Sequence, residues 1–353
     1  MNGDRVDRVR ARVEEAGAES LLVTTPVDVR YLTGLESSNA ACVVRRDAVV
    51  VATDGRYLEA ARSVDGVEVV QAERDLLAWL EPRLRDLAPG PVAFQADHVT
   101  VAQHEPLRES GVELVPTTGL MRRIRAVKSA DELDRVRASA AVHQAMIGRL
   151  AEERLVGRRE IEVAWWIVRT LGEEGADTVA FDPIVAAGPN AALPHHHPGD
   201  RPIGRNETVV VDSGAVLDGY YSDCTRTFAT GALPGDLAEA YELCRAAQSR
   251  GLEAVRAGAS TKAIDAVARR EIEGSGLAPA LHGLGHGVGL ELQELPYLND
   301  SYDAELEPGN VVTVEPGVYL AGKGGVRIED LVIVTDDGPE VLTGFAKDLV
   351  TLS

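Results

Sequence analysis

The sequence predicts an α/β N-terminal domain followed by a larger α+β C-terminal domain, on three observations. The chain has 353 residues, more than one core usually serves when domains average about 100–200 residues. Its first third alternates short apolar runs with amphipathic helical stretches, the pattern of a small α/β domain. Beyond Gly175 the texture changes to an apolar run, a polar loop, a hairpin and β-branched segments.

Taken in order, residues 4–17 read as an amphipathic helix ending near Gly17. Ser20–Thr25, Ala41–Val44 and Ala48–Thr53 read as short buried strands, Leu76–Leu87 as helix, and Pro91–Phe94 and Val112–Pro116 as further strands. The boundary falls between Met121 and Ala130, dividing the chain into 1–124 and 125–353. Ser129-Ala130-Asp131-Glu132 is a capping box that opens a long helix to about Leu150. A second helix, Arg159–Glu174, places Val163, Trp166, Ile167 and Leu171 on one face, as core. Helices follow at Asp236–Arg256 and Thr261–Ile272, and from Leu281 onward the chain returns to short strands.

Composition narrows the partners. A net charge of −20 argues against nucleic acid, because no basic patch exists to displace phosphate counterions; such a chain favours cations. No apolar run approaches the length of a membrane span and the charged N-terminus lacks a secretory h-region, so a cytoplasmic protein without membrane contact is expected. Cys42, Cys224 and Cys244 are odd in number and lack CxxC spacing, which suits reduced thiols.

Chemistry accumulates in the C-terminal part. Residues Thr208–Phe228, TVVVDSGAVLDGYYSDCTRTF, read as two strands joined at Asp218-Gly219, a pair that tolerates the positive φ angles of a two-residue hairpin. Opposed positions then sum to 437, which sets Asp212 opposite Thr225 and makes Asp212 and Asp223 diagonal neighbours. Diagonal partners lie roughly 7–8 Å apart, so two carboxylates could hold two cations about 3.5–4 Å from each other. In His282-Gly283-Leu284-Gly285-His286 the glycines forbid a stable helix and let a ligand approach; one of the two histidines is a candidate ligand. Glu315 ends a β-branched strand before Pro-Gly, and Glu329 shares a face with Arg327, where the plain alternative is a surface ion pair. Asp212, Asp223, Glu315 and Glu329 carry four negative charges, which two divalent cations would neutralise. Without them, burial would force large pKa increases. Four carboxylates and an imidazole favour Mn²⁺ over Zn²⁺, with Co²⁺ also admissible.

These motifs, with LLVTTPVDVRYLTGLESSNA, TDGRYLEAA and MRRIRAVKSADELDRVRASA upstream and LPHHHPGDR, HGLGHGVGLELQE, LEPGNVVTVEPGVYL and GGVRIED downstream, follow one order over nearly the whole chain. The sequence resembles the Xaa-Pro peptidases, aminopeptidase P and prolidase, which belong with methionine aminopeptidase and creatinase to the pita-bread hydrolases. The resemblance implies a non-catalytic, creatinase N-terminal-like domain and a pita-bread metallohydrolase domain, acting on proline-containing peptides as a homodimer. It implies hydrolysis of the bond before proline by a metal-bridging hydroxide. Asp212, Asp223, His286, Glu315 and Glu329 would hold two metal ions, Asp223 and Glu329 bridging them. Glu315 would also shuttle protons, His195 and His282 would contact substrate and steady the tetrahedral intermediate, and Arg327 would order the carboxylates. His196 and His197 receive no role.

Two departures stand out. Gln293 occupies the place of a third active-site histidine, in contact with substrate but unable to transfer protons. Leu295-Pro296-Tyr297 lacks the arginine that dipeptide-cleaving relatives use near this point, which favours an aminopeptidase over a strict dipeptidase. Gln293 also motivates a different substrate, a non-peptide C–N bond in a small molecule. A binding protein of the same fold without catalysis is the remaining alternative.

Overall fold

The computed structural model describes residues 3–275 and 282–352; Leu281, where the final run of strands was placed, lies outside them. The backbone divides into two compact units, Met1–Ile124 and Arg125–Ser353.

The first unit is built on one six-stranded sheet ordered Glu68–Gln71, Val49–Thr53, Ala40–Arg45, Ser20–Val23, Val92–Gln95 and Leu114–Thr117. The strands from Ser20 to Thr53 run antiparallel to one another, and both flanks add parallel strands. Near-continuous apolar strands of this kind are buried on both faces. Leu22, Val43, Val50 and Phe94 accordingly pack with Leu80, Leu84 and Leu107. The helix expected over Leu76–Leu87 is broken: Leu76–Leu80 and Leu84–Leu87 are α-helical and Glu81–Arg83 is a 3₁₀ turn. Pro82 causes the break, since it has no N–H to donate and crowds the preceding turn.

In the second unit two helix pairs back antiparallel sheets. Ala130–Leu150 and Glu160–Glu173 bury Met146, Ile147, Val163, Trp166, Ile167 and Leu171 against Val209, Val211 and Phe228. Gly235–Ala254 and Thr261–Glu273 bury Tyr241, Ala247, Ile264 and Ala268 against Val312, Val314 and Val332. The Ser129 capping box is present, with Glu132 accepting from the Ser129 backbone at 3.1 Å.

At the centre of the domain the hairpin has the register anticipated from its turn. Asp218 and Gly219 both have positive φ, 48° and 76°. Leu217 pairs with Tyr220, Cys224 with Ser213 and Thr225 with Asp212. The hairpin is nevertheless split. Its tip, Ala215–Leu217 and Tyr220–Tyr221, pairs with Thr178–Val179, whereas its base, Thr208–Ser213 and Cys224–Ala229, pairs with Ile184–Ala187. The break occurs at Gly214, where a Cβ would collide with the Ser222 carbonyl oxygen. The last strands complete the scaffold: Glu294–Leu298, Gly285–Gly287, Val311–Val314, Asp330–Thr335 and Gly338–Val341 form one sheet, and Gly317–Leu320 pairs with Gly324–Arg327. Among the described residues no helix is long and apolar enough to cross a membrane.

Candidate functional site

A cavity of about 460 Å³ opens in the second unit, and Asp212, Asp223, His286, Glu315, Glu329, His195, His282, Gln293 and Arg327 all line it. Each comes from the end of a strand or a loop beside one, so the sheets fix the backbone while the side chains converge.

Asp212, Asp223 and Glu329 each offer an oxygen within 4.8 Å of the others. His286 and Glu315 form a second group, their Nε2 and Oε1 atoms 3.5 Å apart, and His286 Nε2 is also 3.7 Å from Asp223. Asp223 is therefore shared by the two groups. His286 donates its Nδ1 proton to the Gly287 carbonyl at 3.1 Å, which fixes the tautomer and turns the Nε2 lone pair toward the carboxylates. Thr313 and Thr225 hydroxyls donate to Glu315 at 3.3 Å and Glu329 at 2.8 Å.

Arg327 pairs with Asp212 at 2.7 Å rather than with Glu329, as the simple ion-pair reading would have it. It reaches Glu329 only through the Thr225 hydroxyl, which accepts from Arg327 Nε at 3.1 Å. Its Nη1 donates to Tyr319 Oη at 2.9 Å and to the Pro194 carbonyl at 3.2 Å. Burial works against the guanidinium charge, but Asp212, Tyr319 and Glu315 hold its pKa well above the ordinary value.

The electrostatics of the cavity are unbalanced without added positive charge. Burial, and then the neighbouring Glu329, Asp212 and Glu315, push Asp223 well above the usual carboxylate range. Burial and Glu315 do the same to Glu329. Burial also pushes Glu315 up to about 8, against the pull of Arg327. Asp212 Oδ1 and Glu329 Oε1 are buried with no hydrogen-bond partner, a costly state for a carboxylate oxygen unless a cation completes it. These orphaned oxygens, with the free His286 lone pair, fit a divalent metal.

The two other histidines have different surroundings. His282 donates Nδ1–H to the Gly283 carbonyl at 2.8 Å and receives the Tyr319 hydroxyl on Nε2 at 3.1 Å. Burial lowers its pKa to about 4, so the ring is neutral and both nitrogens are engaged. His195 also lines the cavity, after Pro194 in the segment between the Gly188–Ala192 turn and the strand Thr208–Ser213. Sequence reasoning did not single out Tyr319, Thr225 or Thr313. Tyr319 lies eight residues from Arg327 across the Gly317–Leu320 and Gly324–Arg327 hairpin, Thr313 lies between two valines of a β-branched strand, and Thr225 is an ordinary strand residue of the hairpin.

The fold and the acid-lined cavity define a class, the pita-bread hydrolases. A model described as metallopeptidase family M24 matches residues 134–336, and one described as the creatinase/prolidase N-terminal domain matches residues 5–127. The chain belongs to metallopeptidase family M24, whose members use divalent metals. It is 34% identical over 366 residues to a probable dipeptidase, PepE, of Mycobacterium bovis, covering 99% of this chain and 96% of that one. The structure of an Xaa-Pro dipeptidase from Bacillus anthracis superposes with a TM-score of 0.94 at 34% identity, covering 99% of both chains. An X-Pro aminopeptidase from Thermotoga maritima superposes at 0.88 with 29% identity, over 96% of this chain and 99% of that one.

Proposed function

We propose that the protein is an Xaa-Pro peptidase whose Asp212, Asp223, His286, Glu315 and Glu329 hold two divalent cations, Mn²⁺ in preference to Co²⁺ or Zn²⁺. The observation that carries this reading is the pair of ligand groups sharing Asp223, with orphaned oxygens on Asp212 and Glu329. When bound, such ions polarise the scissile carbonyl and lower the pKa of water at the site. Glu315, a carboxylate on the cavity wall 3.5 Å from His286 Nε2, takes the proton of the attacking water and passes it to the departing amine nitrogen. His195 supplies the imidazole donor to the oxygen that gains negative charge. The expectation that His282 also meets the substrate is revised in this reading: with its nitrogens engaged by the Gly283 carbonyl and the Tyr319 hydroxyl, it forms the wall and steadies Tyr319. Arg327 holds Asp212 in place.

Among the described residues lining the cavity Arg327 is the one arginine or lysine, and Asp212 already occupies it. Among the described lining residues no second cation is available for a substrate C-terminal carboxylate, which supports an aminopeptidase accepting longer peptides, although the relatives are mostly named dipeptidases. The test is turnover by the full chain loaded with Mn²⁺ of an Xaa-Pro dipeptide, an Xaa-Pro-Yaa tripeptide and a proline-free control. Release of the first residue from both proline peptides, faster from the tripeptide, is expected. No release from either would remove the proposal.

Gln293 on the cavity wall favours a second reading, hydrolysis of a non-peptide C–N bond in a small molecule. The remaining properties of the proposal are a homodimer, supported by the resemblance, and a cytoplasmic location, supported by the resemblance and by three cysteines without CxxC spacing.

A further inference from the structure

His196 is the central member of the His195-His196-His197 run, and the catalytic reading leaves it unused. We propose that His196, seated on the buried carboxylate of Glu160, is a positioning residue for His195; this rests on the reading that His195 meets the substrate. Glu160 is the first residue of the helix Glu160–Glu173 and is completely buried. Its carboxylate accepts from Ala187 N at 2.9 Å, Asn190 Nδ2 at 3.0 Å, His196 Nε2 at 2.8 Å and Gly199 N at 3.4 Å. All four donors belong to residues 187–199, the loop that carries His195. The first two helical N–H groups return the contact, Glu160 N donating to Arg201 O and Ile161 N to Gly199 O, both at 3.1 Å.

The other side of His195 is tied to the cavity. Pro194 O accepts from Arg327 Nη1 at 3.2 Å, and His196 N closes a turn onto Leu193 O at 3.2 Å. His195 therefore sits between an anchor on the site's own arginine and one on the helix. Each anchor is a single residue away. A carboxylate with no exposed surface is tolerable only when its lone pairs are filled. Without the His196 imidazole, Glu160 Oε2 keeps only the longer contacts from Asn190, 3.2 Å, and Gly199, 3.4 Å. The loop then loses its shortest tie next to His195. Misplacing a catalytic group by about 1 Å can cost roughly 10²-fold in rate.

The test is a double-mutant cycle in the full-length, Mn²⁺-loaded protein, using His196→Ala, His195→Ala and the double variant. His196→Ala should lower kcat/KM by about 10- to 100-fold while bound metal per chain stays unchanged. In the His195→Ala background the same change should cost less than about threefold, because a residue acting through His195 has nothing left to position. His196→Gln, whose amide can donate to Glu160, should recover most of the loss. An equal loss in both backgrounds, or none in either, would overturn the proposal. Amide exchange read over residues 187–199 decides the anchoring without any substrate. Exchange should be about tenfold faster in His196→Ala and unaltered elsewhere, and unchanged exchange would overturn the proposal even if no Xaa-Pro peptide proves to be a substrate.

Discussion

At the scale of single residues, the site depends on how one guanidinium is shared. Arg327 serves Asp212, Tyr319, Thr225 and the Pro194 carbonyl at once, a planar fork that a lysine ammonium cannot reproduce. Arg327→Lys is expected to lower kcat/KM by about 10²-fold and to weaken metal affinity measured by calorimetry. Gln293 gives a prediction of opposite sign. If the cavity is a peptidase short of one imidazole, Gln293→His should raise Xaa-Pro turnover by about tenfold or more; a variant with no gain would favour the small-molecule reading. The charged and imidazole groups of the cavity were legible in the sequence because aspartate and glutamate at strand ends, and histidine among glycines, are expensive to bury without a purpose. Tyr319 and Glu160 were not legible. Their meaning lies in contacts to Arg327, His282 and His196 that no local pattern encodes, and a tyrosine in a strand or a glutamate at a helix start has an ordinary explanation already.

At the scale of elements, the hairpin from Thr208 to Ala229 shows which part of a fold a local signal can fix. Asp218-Gly219 determined the turn, the turn determined the register, and the register brought Asp212 and Asp223 together. The split at Gly214 was hidden, because the register set by the turn places Gly214 opposite Asp223 as one more paired strand position. Gly214→Ala would force its Cβ into the Ser222 carbonyl. This should lower stability by about 2 kcal/mol or more and cut Mn²⁺ affinity, since the backbone beside Asp212 and Asp223 must part. Thermal melts with and without metal check both effects. In the first unit the strands were read correctly where they are apolar throughout. The helices Pro26–Thr33 and Val101–Glu109 were passed over, one opening on a proline and the other containing Pro106. Proline is admissible at a helix start, and the Thr100–Gln103 capping box sustains the second helix despite Pro106. Edge strand Glu68–Gln71 is half-exposed and has polar residues at both ends, so its apolar run is too brief to stand out.

At the scale of the whole molecule, stability and pH are linked through two sets of buried groups with opposite signs. His143, fully buried and bonded through Nε2 to Ser213 Oγ at 2.9 Å, has its pKa lowered by burial to about 3, with a smaller contribution from Arg226. An unfolded chain would protonate it near 6.5, so its contribution is intact above that pH and declines by roughly 1.4 kcal/mol per pH unit as pH falls toward about 3. His143→Gln should flatten that limb of the pH–stability curve. Asp223, Glu315 and Glu329 have raised pKa values in the metal-free cavity. Their protonated forms favour the folded state, so the metal-free protein should gain stability as pH falls from about 8 toward 5. Saturating metal should remove that gain, because the cations take the place of the protons. Urea melts of chelated and metal-loaded protein between pH 5 and 8 would display the difference.

The most direct test of the central claim, that five side chains in one cavity form a two-cation site, is a Mn²⁺ titration of chelator-treated protein by calorimetry, run beside Glu329→Gln. The account predicts two ions per wild-type chain and fewer in the variant. It also predicts a chelated variant that melts above chelated wild type, because one of the mutually repelling buried carboxylates is gone. A wild-type chain that takes up no Mn²⁺, or a variant that binds as many ions as the wild type, would contradict it.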